Sequence, residues 1–406
     1  MNESVSNKKR RTIAAIYVIT FMAAFALSSG LFSNAMPRII EGYKLTFDQA
    51  SLFSIFQSAG MILATALTVL VVDRLDKNKA LGLMFLLMGG FLVCIGMAPP
   101  FVLLLVALFL LGTVSGVLDN ACAAYISDLF GDERAKYISI LHAFFGLGSV
   151  LGPVFIGTLF KMGFEWNTAY TTFGLVVVFL ALAYFVTMAV IKRPEPAVSG
   201  VDEAGVRVKI PYKKIVTSPQ MLVLCGMAIF SAATQVFNTW LPTYLNNKDA
   251  LLYPVSFCST IMACYSVGMI ISRVLNGAIL RALSPRKYII TMTFLGALVL
   301  GAGLTIDQKL LWPVVSFLLG LLVGAIYTVQ IIMSCSYFPQ FSATAISYAG
   351  LASSVGGMLF NALAGQLAQR VSFLSAMCIP VAGMVGTFLL MGLTRRVGSH
   401  TEAVEE

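Results

Sequence analysis

The chain is a succession of long apolar runs broken only by short charged or Gly/Pro-containing segments, and nothing else in it constrains the fold as strongly. Twelve runs are read, at approximately 12–36, 47–72, 80–98, 101–127, 137–160, 167–191, 218–245, 254–280, 288–305, 310–337, 343–369 and 372–394. A helix of about 20 apolar residues crosses the hydrocarbon of a bilayer while keeping every backbone N–H and C=O paired within itself. The 406 residues are 58% hydrophobic and 11% charged, with mean hydropathy +0.88, whereas soluble domains carry roughly 25% charged residues. A water-soluble enzyme is excluded. The expectation is an all-α membrane protein of twelve transmembrane helices.

Charge fixes the orientation. Cytoplasmic segments of membrane proteins are enriched in Lys and Arg. With the N-terminus inside, 20 of the 27 Lys and Arg fall in inner segments and 6 in outer ones, with Arg273 left inside a span. Both termini are therefore expected in the cytoplasm, and the net charge of +9 is membrane topology rather than a nucleic-acid footprint. Lys8, Lys9, Arg10 and Arg11 precede an apolar run of about 25 residues from Ile13, read as a first anchor and not as a cleaved signal. The localisation expected is an integral multi-pass protein of a bacterial cytoplasmic (inner) membrane. The seven cysteines lie in apolar stretches without a C-x-x-C pair, so no metal site, disulfide framework or cofactor is expected.

The sequence repeats itself. Phe25, Phe32 and Pro37 of span 1 return as Phe230, Phe237 and Pro242 in span 7; Leu111-Gly112 and Gly116 of span 4 return as Leu319-Gly320 and Gly324 in span 10; Gly146-Leu147 and Gly152 of span 5 return as Gly350-Leu351 and Gly356 in span 11. The offsets are 205, 208 and 204. The one long polar break, 192–217, contains Pro194, Pro196, Gly200 and Gly205. Two six-helix pseudo-repeat halves are expected, 1–191 and 218–395, joined by a cytoplasmic linker at 192–217 and followed by a tail at 396–406.

Two parallel six-span halves on an inner linker resemble the major facilitator superfamily, and the resemblance covers essentially the whole chain. Asp73-Arg74-Leu75-Asp76-Lys77, between spans 2 and 3, resembles that superfamily's gating motif G-x3-D-R-x-G-R-R, with Val69 and Asp76 in place of its glycines. The resemblance implies a gating role for Asp73 and Arg74. More narrowly, Gly116-Val117-Leu118-Asp119 and Leu141-His142-Ala143-Phe144-Phe145-Gly146-Leu147-Gly148, together with Arg273, Pro285 and Lys287, resemble the fucose:proton symporter and glucose-transporter-like family. This implies a monosaccharide substrate and a coupled proton on Asp119. Ser33 stands where several members of that family carry a further carboxylate.

Few ionisable residues lie within spans, where each costs about 2.5–3.5 kcal/mol at the bilayer centre. Asp119, in span 4, is either a proton carrier or a structural carboxylate bonded to neighbouring helices. His142, in span 5, is either its relay partner or a packed, capped side chain. Arg273 in span 8 either meets an anionic substrate or serves the inner gate. Uncharged polar groups fill out a candidate substrate site: Ser33, Asn34, Gln57, Gln235, Asn238, Trp240, Tyr327, Gln330 and Asn361. Amides, hydroxyls and a stacking aromatic suit a polyhydroxylated solute, although each singly also serves as interhelical glue.

No Walker sequence, H-E-x-x-H or Ser/His/Asp constellation is present, so a gradient must drive transport and no enzyme activity is expected. The leading expectation is a secondary active transporter for a small polar, sugar-like solute, coupled to an ion, with the proton favoured. The alternative is an efflux carrier for amphipathic drugs or an organic-anion transporter. The partners expected are a small-molecule substrate, the coupling ion and the lipid bilayer, with no nucleic acid, and a monomer as the working unit.

Overall fold

The computed structural model describes residues 2–71, 77–130, 133–191, 212–338 and 342–394. Among these the chain is helical throughout, as an apolar chain whose backbone must satisfy itself requires. The helices are α1 (Asn2–Tyr43), α2 (Phe47–Val71), α3 (Lys77–Gly96), α4 (Phe101–Phe130), α5 (Arg134–Lys161), α6 (Trp166–Ile191), the short α7 (Tyr212–Val216), α8 (Pro219–Ala232), α9 (Thr234–Lys248), α10 (Val255–Ala282), α11 (Pro285–Ile306), α12 (Leu311–Val323), α13 (Ile326–Tyr337), α14 (Ser342–Arg370) and α15 (Phe373–Leu393). Eleven segments of the described residues are long and apolar enough to cross a membrane. The expected span 47–72 corresponds to α2.

Local sequence sets the helix starts. Ser218, Ser284 and Ser372 are N-caps whose hydroxyls accept from the backbone N–H three residues on, and Pro219 and Pro285 occupy the first helical position, where no N–H is needed. Arg286 donates to the carbonyls of Thr394, at 2.8 Å, and of Met391. A cation thus sits where the C-terminal carbonyls of α15 leave partial negative charge.

Two compact units form. The first is Met1–Ile39 with Phe56–Arg207, the second Ile40–Ile55 with Val208–Glu406. The short segment Ile40–Ile55 therefore packs with the C-terminal helices. In the second unit the Phe47 ring meets Phe373 at 4.8 Å and Trp240 at 6.5 Å, and the Phe47 N–H donates to Gln369 Oε1 at 2.9 Å.

Glycines join the helices inside each unit, and they do so twice in the same way. In the first unit a Cβ on Gly60 would lie 2.1 Å from the Phe109 carbonyl, and one on Gly112 would lie 2.2 Å from the Gln57 carbonyl. In the second, Gly268 stands 2.1 Å from the Phe317 carbonyl by the same measure, and Gly320 2.0 Å from that of Tyr265. All four positions and all four neighbours are related by 208. The contacts correct the offset read for spans 5 and 11. Gly148 abuts Ala23 and Ala26 on α1, and Gly356 abuts Ile229 and Ala232 on α8, so Gly356 matches Gly148 and not Gly152. Sequence similarity alone favoured 204 because Gly350-Leu351 resembles Gly146-Leu147 and lies one helical turn before Ser354-Val355, the residues that an offset of 208 sets against that pair.

Candidate functional site

The two units differ in one respect that bears on chemistry. α1 and α4 run unbroken, whereas their counterparts in the second unit are each interrupted. Span 7 passes from α8 to α9 at Ala233, which keeps helical dihedrals while the ladder shifts to three-residue bonds, and span 10 is broken between α12 and α13 at Gly324–Ala325. Interrupted membrane helices expose backbone groups and are tolerated only where protein or a cavity satisfies them, which makes them markers of binding sites.

Around these breaks lie most of the polar residues singled out from the sequence. Asn238 donates to the Tyr265 hydroxyl at 3.4 Å, and its buried Oδ1 has no partner. Gln330 is 2% exposed with Nε2 unpaired. Tyr327 is 49% exposed and Gln235 is exposed, with its amide against Gly357. Asn238 and Gln330 thus hold one unused acceptor and one unused donor, neither charged. A buried polar group without a partner costs about 1–3 kcal/mol, and a ligand supplying both partners recovers that cost.

Trp240 and Asn361 are occupied differently. Trp240 is completely buried and gives its Nε1–H to Asn361 Oδ1 at 3.2 Å, while Asn361 Nδ2 donates to the Gly357 carbonyl at 2.8 Å. The pair ties α9 to α14, each partner satisfying the other. Asn361→Ala is expected to orphan the indole N–H and cost about 1–3 kcal/mol. A thermal-unfolding scan in detergent checks this, with the midpoint falling more than in Asn361→Gln.

In the first unit, Asp119 is half-buried on α4, one turn before the buried Cys122, and both Asp119 and His142 engage in interactions within the fold. α4 and α5 pack against each other, and His142 is exposed on α5. Asn34 is fully buried, with Nδ2 donating to the Gly30 carbonyl at 2.8 Å and Oδ1 unpaired; Ser33 is 9% exposed beside it. Gln57 is partly buried, and its carbonyl faces Gly112. Asp73 and Arg74 lie outside the described residues.

Two groups were not legible as site residues. Tyr265, buried on α10, receives the Asn238 amide; as one of fourteen tyrosines in an apolar run it gave no signal. The Gly324 carbonyl takes a hydrogen bond from Arg273 Nε at 3.3 Å, and a glycine carbonyl carries no sequence signature.

Comparison with known proteins agrees with this architecture. The glucose/mannose transporter GlcP of Bacillus subtilis is 24% identical over 84% of this chain and 85% of its own length. Protein TsgA of Escherichia coli is 22% identical over 97% and 98%. Among solved structures, a variant of the nucleoside transporter NupG superposes with a TM-score of 0.76 at 12% identity, covering 94% of this chain and all of that one. A bacterial homologue of the human lysosomal transporter Spinster, inward-facing and occupied, gives 0.72 at 14% identity over 94% and 97%. The family model described as Major Facilitator Superfamily matches residues 16–254. With eleven membrane-length apolar segments among the described residues, helices interrupted in one of the two repeating sets and more than half of the sequence matching that model, the chain is an integral multi-pass membrane protein that belongs to the major facilitator superfamily of transporters.

Proposed function

We propose that this transporter moves a neutral, hydroxyl-rich solute of monosaccharide size and couples that movement to protons through Asp119. The observation that carries the reading is the pairing of unused, uncharged hydrogen-bonding atoms in the second unit, Asn238 Oδ1 and Gln330 Nε2, with a carboxylate placed in the first. A neutral polyol offers hydroxyls that both donate and accept, so it can satisfy an orphan acceptor and an orphan donor without leaving a charge buried. The similarity to a glucose/mannose transporter supports the class. In this reading the halves are 1–191 and 218–395, His142 relays the proton to and from Asp119, and Asp73 and Arg74 act at the inner gate.

Purified protein in liposomes on a solid-supported membrane tests it. Addition of D-glucose or D-mannose is expected to evoke a current that grows with an inward proton gradient. Gln330→Ala and Asn238→Ala are each expected to raise the half-saturating sugar concentration about tenfold, the equivalent of about 1.4 kcal/mol. If no neutral sugar produces current or counterflow, while an organic anion or a cationic drug does, the substrate class is wrong.

A further inference from the structure

The interruption of span 10 has an internal control. Gly116 and Gly324 are equivalent by the 208 offset, and both pack on the same neighbour, Met61 in one unit and Met269 in the other. Yet α4 runs straight through Gly116, while span 10 breaks at Gly324–Ala325, where Ala325 leaves helical geometry at φ −99°, ψ 0°. The glycine is therefore not the cause. Among the differences around the two glycines, one brings a charge: the residue one turn beyond that methionine is Arg273 in the second unit and Thr65 at the matching position of the first. Arg273 Nε donates to the Gly324 carbonyl at 3.3 Å.

We propose that Arg273 is a positioning residue that holds span 10 open at Gly324–Ala325 and so sets the orientation of Tyr327 and Gln330. The physical reason is twofold. The carbonyls at the end of α12 lose their helical partners at the break and carry the negative end of the α12 dipole. A guanidinium placed there satisfies one of them and finds the potential that a cation within a membrane needs. In a continuous helix the Gly324 carbonyl would be taken by the N–H of Thr328, four residues on, and would have less to offer Arg273. The first two turns of α13 carry Tyr327 and Gln330, so closing the break rotates both.

The consequence for substrate binding rests on the function proposed above; the consequence for the helix does not. Hydrogen exchange in detergent, followed by mass spectrometry, reads the helix directly. Arg273→Gln is expected to slow amide exchange across 325–328 about tenfold as the ladder closes, and Arg273→Lys, which keeps a cationic donor, to leave it near wild type. Counterflow of D-glucose is expected to show a half-saturating concentration raised about tenfold in Arg273→Gln, a maximal rate changed far less, and substantial recovery in Arg273→Lys. Unchanged or faster exchange at 325–328 in monodisperse Arg273→Gln overturns the positioning role whatever the substrate. Slower exchange with unaltered glucose affinity leaves Arg273 holding the break and removes Tyr327 and Gln330 from the binding site.

Discussion

Asp119→Asn is expected to abolish proton-driven accumulation of substrate, lowering uptake against a gradient by a hundredfold or more, while counterflow of substrate persists. A transported proton needs a group that is charged in one part of the cycle and neutral in another. Asp119 is half-buried on α4 amid Leu118, Ala121 and Cys122, all nearly inaccessible. A charged carboxylate within a membrane span is costly, so on the proposed reading its protonation changes as access to it opens and closes. Asparagine has the same shape and is fixed in the neutral state. It retains the step in which loaded carrier exchanges one substrate for another and loses the step driven by the proton. Measuring both modes in proteoliposomes separates the two roles of the residue. Equal loss of accumulation and counterflow, together with a lower unfolding midpoint, would make Asp119 a structural carboxylate. His142→Gln is expected to slow the proton-driven mode alone.

Gly320→Ala and Gly112→Ala should destabilise the protein strongly, and Gly350→Ala should not. The added methyl at Gly320 would lie 2.0 Å from the Tyr265 carbonyl, and that at Gly112 would lie 2.2 Å from the Gln57 carbonyl. Both obstacles are backbone, so relief requires moving a whole helix. Overpacking of this kind costs about 1–3 kcal/mol and more where nothing can yield. Within a membrane, apolar surface is as well solvated by lipid as by protein, so helices are held together by just such close backbone approaches. Gly350 has no heavy atom within 4 Å of the same methyl. Its replacement in the interior of α14 is expected to be neutral or to stabilise by about 0.5–1 kcal/mol through helix propensity. Thermal scans of the three variants in one detergent decide it, and a Gly350→Ala midpoint as low as that of Gly320→Ala would sink the account.

The three glycines also show what a sequence can and cannot convey. Each sits in a similar apolar run, and Gly112, Gly320 and Gly350 were all recognised as members of the repeat. Only the packing tells that two are contacts and one is open. The same holds for the polar candidates. Trp240 and Asn361 read as substrate groups from their chemistry, and the fold pairs them with each other. Asn238 and Gln330 read no differently, and the fold leaves an atom of each unpaired. A hydrogen-bond partner 27 or 121 residues away along the chain, as for Asn238 with Tyr265 and Trp240 with Asn361, is invisible to local pattern.

What the sequence determined by itself is everything governed by the bilayer as solvent. The succession of membrane-length helices follows from the length of apolar runs, and the twofold organisation from recurrent Gly, Phe and Pro. These are one-dimensional properties, because transfer into lipid is decided segment by segment. The tertiary structure alone decided the true register of spans 5 and 11, the docking of Phe47 among Trp240 and Phe373, and the break in span 10. Gly116 and Gly324 make the reason plain: matching glycines of the repeat lie in a helix that continues and in one that ends, and the carbonyl of the second takes a hydrogen bond from an arginine of a different span, which no local pattern in the sequence announces.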